Sequence, residues 1–206
     1  MKIKSIFDGI EEKEVDKLLK ILDAKKLSFK KDRTIVTNII NVKMIGILLN
    51  GTANMERYDY NGNRSIIEKL KENSIFGEVF SRLGSDISVV ATSNCEVLFI
   101  EYDNLIKCAK NSILLNNIFT LLSNKIVDLN IRLEILSKRS IREKLLTYFL
   151  ILANDKPDRI FTIPFTYTDL ADYLSIDRSA MMREIKNLKE EGFIKTNGKQ
   201  ISLISY

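Results

Sequence analysis

The apolar positions change period along the chain, and each change predicts a different kind of structure. Over residues 8–25, Ile10, Val15, Leu18, Leu19 and Leu22 stand among acidic and basic residues, the stripe of an amphipathic helix. From Leu27 to Ile100 the pattern breaks into short apolar runs. Ile45-Gly-Ile-Leu-Leu49, Ile66-Ile67 and Glu96-Val-Leu-Phe-Ile100 read as buried strands, with Asn50-Gly51 and Asn61-Gly62 as hairpin turns. Strands at that spacing predict an antiparallel sandwich or barrel. From Ser112 to Ser137 neither Gly nor Pro interrupts a long helix. Leu115, Leu122, Leu129 and Leu136 recur at seven, and Phe119, Ile126 and Leu133 interleave at seven. Such a seam suits a parallel two-stranded coil, and its flanking positions (Lys125, Arg132, Ser123, Asn130) carry no opposite-charge pairs that would specify a foreign partner. The competing reading is a core helix packed on its own domain. The seam is longer than three heptads and joins two domains, which favours a homodimer.

The last third is predicted helical with one hairpin. Ser137-Lys-Arg139 reads as a hinge, and Ser140 with Glu143 as a capping box opening a helix through Leu145, Leu146, Phe149 and Leu152. Asn154–Asp158 is a loop, and Ile160–Phe165 a short strand whose Pro164 suits an edge or an end. Thr166 and Asp169 read as a second capping box, before a helix burying Leu170, Ala171 and Leu174. Ser175-Ile176 breaks the pattern, Asp177 caps the next helix, and Met181, Ile185 and Leu188 form its apolar stripe. The opposite face carries Arg178, Ser179, Met182, Arg183 and Lys186. Two helices in this arrangement are a helix-turn-helix, whose second helix enters the major groove, where Arg can donate two bonds to guanine. Phe193–Ile204 alternates around Asn197-Gly198, a strong hairpin signal, and a hairpin in that place makes a wing with Lys195 and Lys199 facing phosphates.

With these segments the chain resembles the Crp/Fnr superfamily of bacterial transcription regulators. The matching stretches are Thr166–Leu174, Asp177–Ile185, Leu188–Ile194 and Gly198–Ile201. The resemblance implies an α+β chain in three parts: a cyclic-nucleotide-binding-like sensor β-roll over 1–110, a dimerisation helix and hinge over 111–138, and a winged helix-turn-helix over 139–206. Arg178, Ser179, Met182 and Arg183 are then the base-reading candidates, and Thr168, Lys186, Lys195 and Lys199 the phosphate contacts. The partners implied are a palindromic double-stranded operator, a second copy of the chain, and RNA polymerase if the protein activates. Ser175 departs from the family, which usually has Gly in the turn. A left-handed Ser there costs roughly 1 kcal/mol relative to Gly.

The resemblance extends to the sensor. Gly46–Gly51, Asp59–Asn63 and Ile75–Glu78 look like the β-roll of cyclic-nucleotide-binding domains. In nucleotide-binding members a Gly-Glu pair precedes a short helix and an Arg. The Glu accepts from the ribose hydroxyl, and the Arg pairs with the cyclic phosphate. Here Gly77 and Glu78 supply the first pair, but aligned back from Ala91 and Cys95 the Arg position holds Ser85, followed by Asp86. A carboxylate where a phosphate should dock is repulsive, so the effector pocket is degenerate and cyclic AMP is not the expected signal. Arg82, three residues away, is the one alternative cation in this stretch.

Composition narrows the remaining classes. A net charge of +5 is modest, and from Lys138 onward twelve Lys and Arg stand against nine Asp and Glu. No His is present, which removes a His-ligated haem and the commonest general base. Two separated Cys cannot hold an iron–sulfur cluster or a disulfide framework. Cys95 reads as buried packing, and Cys108, taken to begin the long helix, as a conceivable redox switch. No metal site, cofactor, nucleophile elbow or phosphate-cradling loop is found, so an enzyme is not expected. No leader or membrane-spanning run stands in the sequence, so a cytoplasmic protein without a membrane partner is expected. The rival function is a ligand-binding regulatory subunit whose C-terminal helices only pack. The outward arginines and the wing argue against it, since packing needs neither.

Overall fold

The computed structural model describes residues 6–36, 44–77, 87–108 and 111–204, and the chain divides into two compact units, 1–128 and 129–206. In the first unit, helix α1 (Glu12–Ile21) is shorter than residues 8–25. Phe7–Ile10 forms a turn instead, with the Ile10 amide donating to the Phe7 carbonyl at 3.1 Å, and Asp23 turns left-handed at φ 44° just before the first strand. Among the described residues, eight strands follow in two antiparallel sheets. The first sheet orders β1 (Lys25–Phe29), β8 (Cys95–Glu101), β3 (Met44–Asn50) and β6 (Ile75–Gly77). The second orders β2 (Thr34–Val36), β7 (Ile87–Ala91), β4 (Ala53–Tyr58) and β5 (Arg64–Leu70).

The unbroken apolar run of β3 has a physical reason, because both its faces are covered. Ile45 and Ile47 join α1, α2 (Tyr102–Lys107) and the start of α3 (Ser112–Ser137) in one core. Leu48 joins a second core fed by both sheets, with Phe76, Val89, Ala91, Val97 and Phe99. Gly46 leaves room there for the Phe76 ring, since a Cβ on it would sit 2.5 Å from that ring.

The two Asn-Gly signals have different outcomes. Asn61-Gly62 does turn the β4–β5 hairpin. There Asp59 accepts from the Asn61 and Asn63 amides at 2.8 Å each and from Asn63 Nδ2 at 2.9 Å. Those bonds, the Asn63 side chain foremost, hold the Asp59 carboxyl below the usual carboxylate range. Asn50-Gly51 is not a hairpin, because β3 and β4 lie in different sheets. Gly51, at φ 89°, carries the chain across, and Thr52 is pinned to the β7–β8 connection through its amide on Ser93 Oγ, 2.9 Å.

Helix α3 has 26 residues, about 39 Å of length. Leu114, Ile118 and Leu121 enter the core of the first unit, and Ile135 is buried in the second. The heptad positions lie elsewhere on the helix. Phe119, Ile126, Leu129 and Leu133 are exposed, Phe119 by 64% and Leu133 by 65%, and Leu115, Leu122 and Leu136 are half-buried. Lys125, expected to flank that stripe, instead reaches β5. Its Nζ lies 2.5 Å from Glu68 Oε2 and donates to the Ile75 carbonyl at 3.2 Å. Cys95 is buried in the second core. Cys108 ends α2 rather than beginning α3, and burial pushes its thiol pKa up, which disfavours the reactive thiolate a redox switch needs. No helix among the described residues is long and apolar enough to cross a membrane.

In the second unit, the α4 capping box forms as read. The Glu143 amide donates to Ser140 Oγ at 3.1 Å and the Ser140 amide to Glu143 Oε2 at 2.9 Å. Helix α4 (Ile141–Ala153) precedes β9 (Ile160–Thr162), α5 (Tyr167–Leu174), α6 (Arg178–Glu190), β10 (Ile194–Asn197) and β11 (Gln200–Leu203). The three strands form one sheet ordered β10-β11-β9, so β9 is an edge and Pro164 falls just past its end.

Replacing Gly46 by Val should drive a side chain into the Phe76 ring and cost about 1–3 kcal/mol. A lowered melting temperature of the first unit in calorimetry checks this, and an unchanged one rejects the packing account.

Candidate nucleic-acid interface

Each end of α5 and α6 has a specific chemical stop. Thr166 Oγ1 accepts from the Asp169 amide at 3.0 Å and donates to Asp169 Oδ2 at 2.8 Å, opening α5. Ser175 ends it in the left-handed region, φ 53° and ψ 55°, and the Ile176 amide donates back to the Ala171 carbonyl at 3.1 Å. Lys144 Nζ covers the Leu174 carbonyl from α4 at 3.2 Å, a cation at a helix C-terminus. Asp177 Oδ1 then accepts from the Ala180 amide at 2.7 Å and opens α6. The turn between the helices therefore has three residues, 175–177. Leu170, Ala171 and Leu174 are buried, as are Met181, Ile185 and Leu188. With these positions inward, Arg178, Ser179, Met182, Arg183 and Lys186 of α6 are all exposed.

The wing forms at the predicted place with a shifted turn. Asn197 pairs with Gln200, so the loop is Gly198-Lys199, and Gly198 (φ 57°) takes the positive angle while Asn197 remains in the strand. A two-residue loop with Gly first matches the twist of the flanking strands. Lys195 on β10 and Lys199 in the loop are exposed. Tyr167 Oη donates to the Gly198 carbonyl at 2.7 Å, which brings the first turn of α5, with exposed Thr168, beside the wing loop. Partial burial pushes the Tyr167 phenol pKa up, so it remains a donor.

A Crp-like helix-turn-helix domain model matches residues 143–205, and a cyclic nucleotide-binding domain model matches residues 26–112. The chain therefore joins a cyclic nucleotide-binding domain to a Crp-like helix-turn-helix domain. Among curated proteins, "Probable transcriptional regulator flp" of Lacticaseibacillus casei is 34% identical over 70 residues, 34% of this chain. That match spans 32% of the relative's length. Solved structures share the fold at low identity. A CooA mutant from Carboxydothermus hydrogenoformans superposes with TM-score 0.80 and 14% identity over 98% of this chain and 91% of its own. The c-di-GMP-responsive global regulator CLP of Xanthomonas campestris gives 0.71 and 14%, over 95% and 100%.

Two supporting groups of the second unit have no local signal in the sequence. Arg142 on α4 makes a fork, with Nε 2.6 Å from Glu184 Oε1, and Nη1 and Nη2 on the two carboxylate oxygens of Glu191 at 2.7 and 2.5 Å. The same guanidinium lies 5.9 Å from the Phe193 ring centre. It thereby ties α4 to the C-terminal end of α6 and the start of the wing. The hydrogen bonds to Glu191 and then Glu184 raise the Arg142 pKa further, and Glu191 is correspondingly lowered by Arg142. Within the same unit, the Arg132 guanidinium of α3 sits 5.0 Å from the Tyr173 ring centre, and that ring stacks on Phe165 at 4.8 Å. Nothing in the local sequence around Arg142 or Arg132 signals these contacts, because their partners lie 40 to 50 residues away.

The effector-pocket residues are less fully seen. Gly77 ends β6 at φ 136°, where a Cβ would collide with the Met44 carbonyl, so a backbone reason for glycine exists apart from any ligand. Glu78, Ser85 and Asp86, with Arg82, lie outside the described residues.

Because Ser175 holds a left-handed conformation, Ser175→Gly should stabilise the second unit by about 1 kcal/mol. For a domain of this size that raises the melting temperature by roughly 4–8 °C, measured by calorimetry. No rise would mean that the turn is not the strained point.

Proposed function

We propose that the chain is a homodimeric, sequence-specific DNA-binding transcription regulator of the Crp/Fnr type, acting in the cytoplasm without catalysis. The observation that carries this reading is the outward face of α6. Two guanidinium groups, a hydroxyl, a thioether and an ammonium group project from one capped helix whose other face is fully buried. Arg178, Ser179, Met182 and Arg183 would read base edges, while Thr168, Lys186, Lys195 and Lys199 would hold phosphates. Lys186 is 3.6 Å from Glu190 and exposed, so that surface pair would yield readily to a phosphate. Selection from random DNA with purified protein tests the reading, and failure to enrich any sequence would reject it. Arg178→Ala or Arg183→Ala should each cost about 1–3 kcal/mol at the selected site and relax preference at one guanine per half-site. Ala at Lys195 or Lys199 should weaken all sequences alike and flatten the salt dependence.

The second copy follows from α3. Phe119, Ile126, Leu129 and Leu133 leave more apolar surface in water than scattered single residues would, and the heptad spacing fits an identical partner. Two helix-turn-helix units related by a twofold axis would read a palindrome with half-site centres about 34 Å apart. Changing Leu122 and Leu129 together to Asp should give monomers with little operator affinity. Dimers persisting in sedimentation would sink the dimer claim.

Cyclic AMP and cyclic GMP are not the proposed signals. Ser85 offers no cation and Asp86 adds a carboxylate, and losing a charge-assisted pair to a phosphate costs a few kcal/mol, roughly micromolar to millimolar affinity. Calorimetry with both nucleotides at millimolar concentration should register no binding. Micromolar binding that also raised operator affinity would overturn this and point to Arg82.

A further inference from the structure

Met182 is the residue on the outward face of α6 whose chemistry does not fit water. Its exposure is 38%, and among the described residues from Tyr167 to Leu203 it is the only large hydrophobic side chain left exposed. A single exposed apolar residue on a protein surface is ordinary. Its position here is not. Arg178 and Ser179 lie one turn before it, Arg183 beside it and Lys186 one turn after it, so it occupies the centre of a polar face. Its neighbour Met181 is fully buried, so the helix core already has its own methionine and does not need this one.

We propose, resting on the DNA-binding reading above, that Met182 determines specificity by packing against the 5-methyl group of one thymine per half-site. The major-groove edges of the bases present donors and acceptors at every position except one, and that exception is the thymine methyl. A thioether at the centre of the face would leave any of the other groups desolvated without a partner, and only thymine offers apolar surface in return. Methionine is also long, unbranched and polarisable, so it can settle on a methyl group without demanding one rotamer. The operator half-site therefore contains a thymine whose identity is read by its methyl, alongside the guanines assigned to Arg178 and Arg183.

The test uses the full chain and the operator selected from random DNA. Each thymine of the half-site is replaced in turn by deoxyuridine, which removes the methyl and leaves the base pairing intact. One position should lose about fourfold in affinity per half-site, the factor that one buried methyl group is worth. Met182→Ala should lose a similar factor on the thymine operator and bind thymine and uracil operators equally, with an unchanged melting temperature because the side chain is exposed. Met182→Leu should keep the discrimination, and Arg178→Ala should bind more weakly yet keep it too. Uracil tolerated at every position, or discrimination that survives in Met182→Ala, would overturn the inference while leaving the regulator reading intact. A pool that enriches no sequence would overturn both.

Discussion

A helix of 26 residues carries more apolar surface than one small domain can cover, and the arrangement of the rest depends on how α3 divides it. Leu114, Ile118 and Leu121 are taken by one core and Ile135 by another, which leaves Phe119, Ile126, Leu129 and Leu133 to water in a single chain. These side chains are already partly covered, so burying the remainder is worth on the order of 1 kcal/mol each. The buried face is itself fixed by polar contacts. Lys125 bonds Glu68 and the Ile75 carbonyl, and Arg132 covers the Tyr173 ring, so the helix cannot rotate to bury its leucines in its own units without breaking both.

The parts legible from sequence were those whose signals are local. Thr166, Ser175 and Asp177 act within four residues of themselves, so the boundaries of α5 and α6 follow from capping chemistry and apolar spacing alone. Asn-Gly pairs declare a turn equally locally, but not which strands it joins. Asn61-Gly62 joins neighbours in one sheet, whereas Asn50-Gly51 joins two sheets. The apolar period outruns the N-terminal end of α1 because it persists into the turn at Phe7–Ile10, where the chain packs on the core without being helical.

What remained illegible was long-range pairing of charges. Lys125 occupies a flanking position of the heptad and looks like a solvent-facing residue until β5 is folded beside it. Arg142 looks like any solvated helix residue, yet its two carboxylate partners lie 42 and 49 residues downstream. A charged side chain carries no mark of its partner in its own neighbourhood, whereas an apolar one announces by its period that it will be buried.

The bond from Tyr167 to the Gly198 carbonyl bears on how quickly such a surface engages a target. A free hairpin would have to be ordered on arrival, and that conformational entropy would be lost at each encounter. Here the loss is met once, during folding, because the wing loop is already anchored to the first turn of α5. The hydrogen bond therefore biases the wing loop toward its place beside α5 before any encounter.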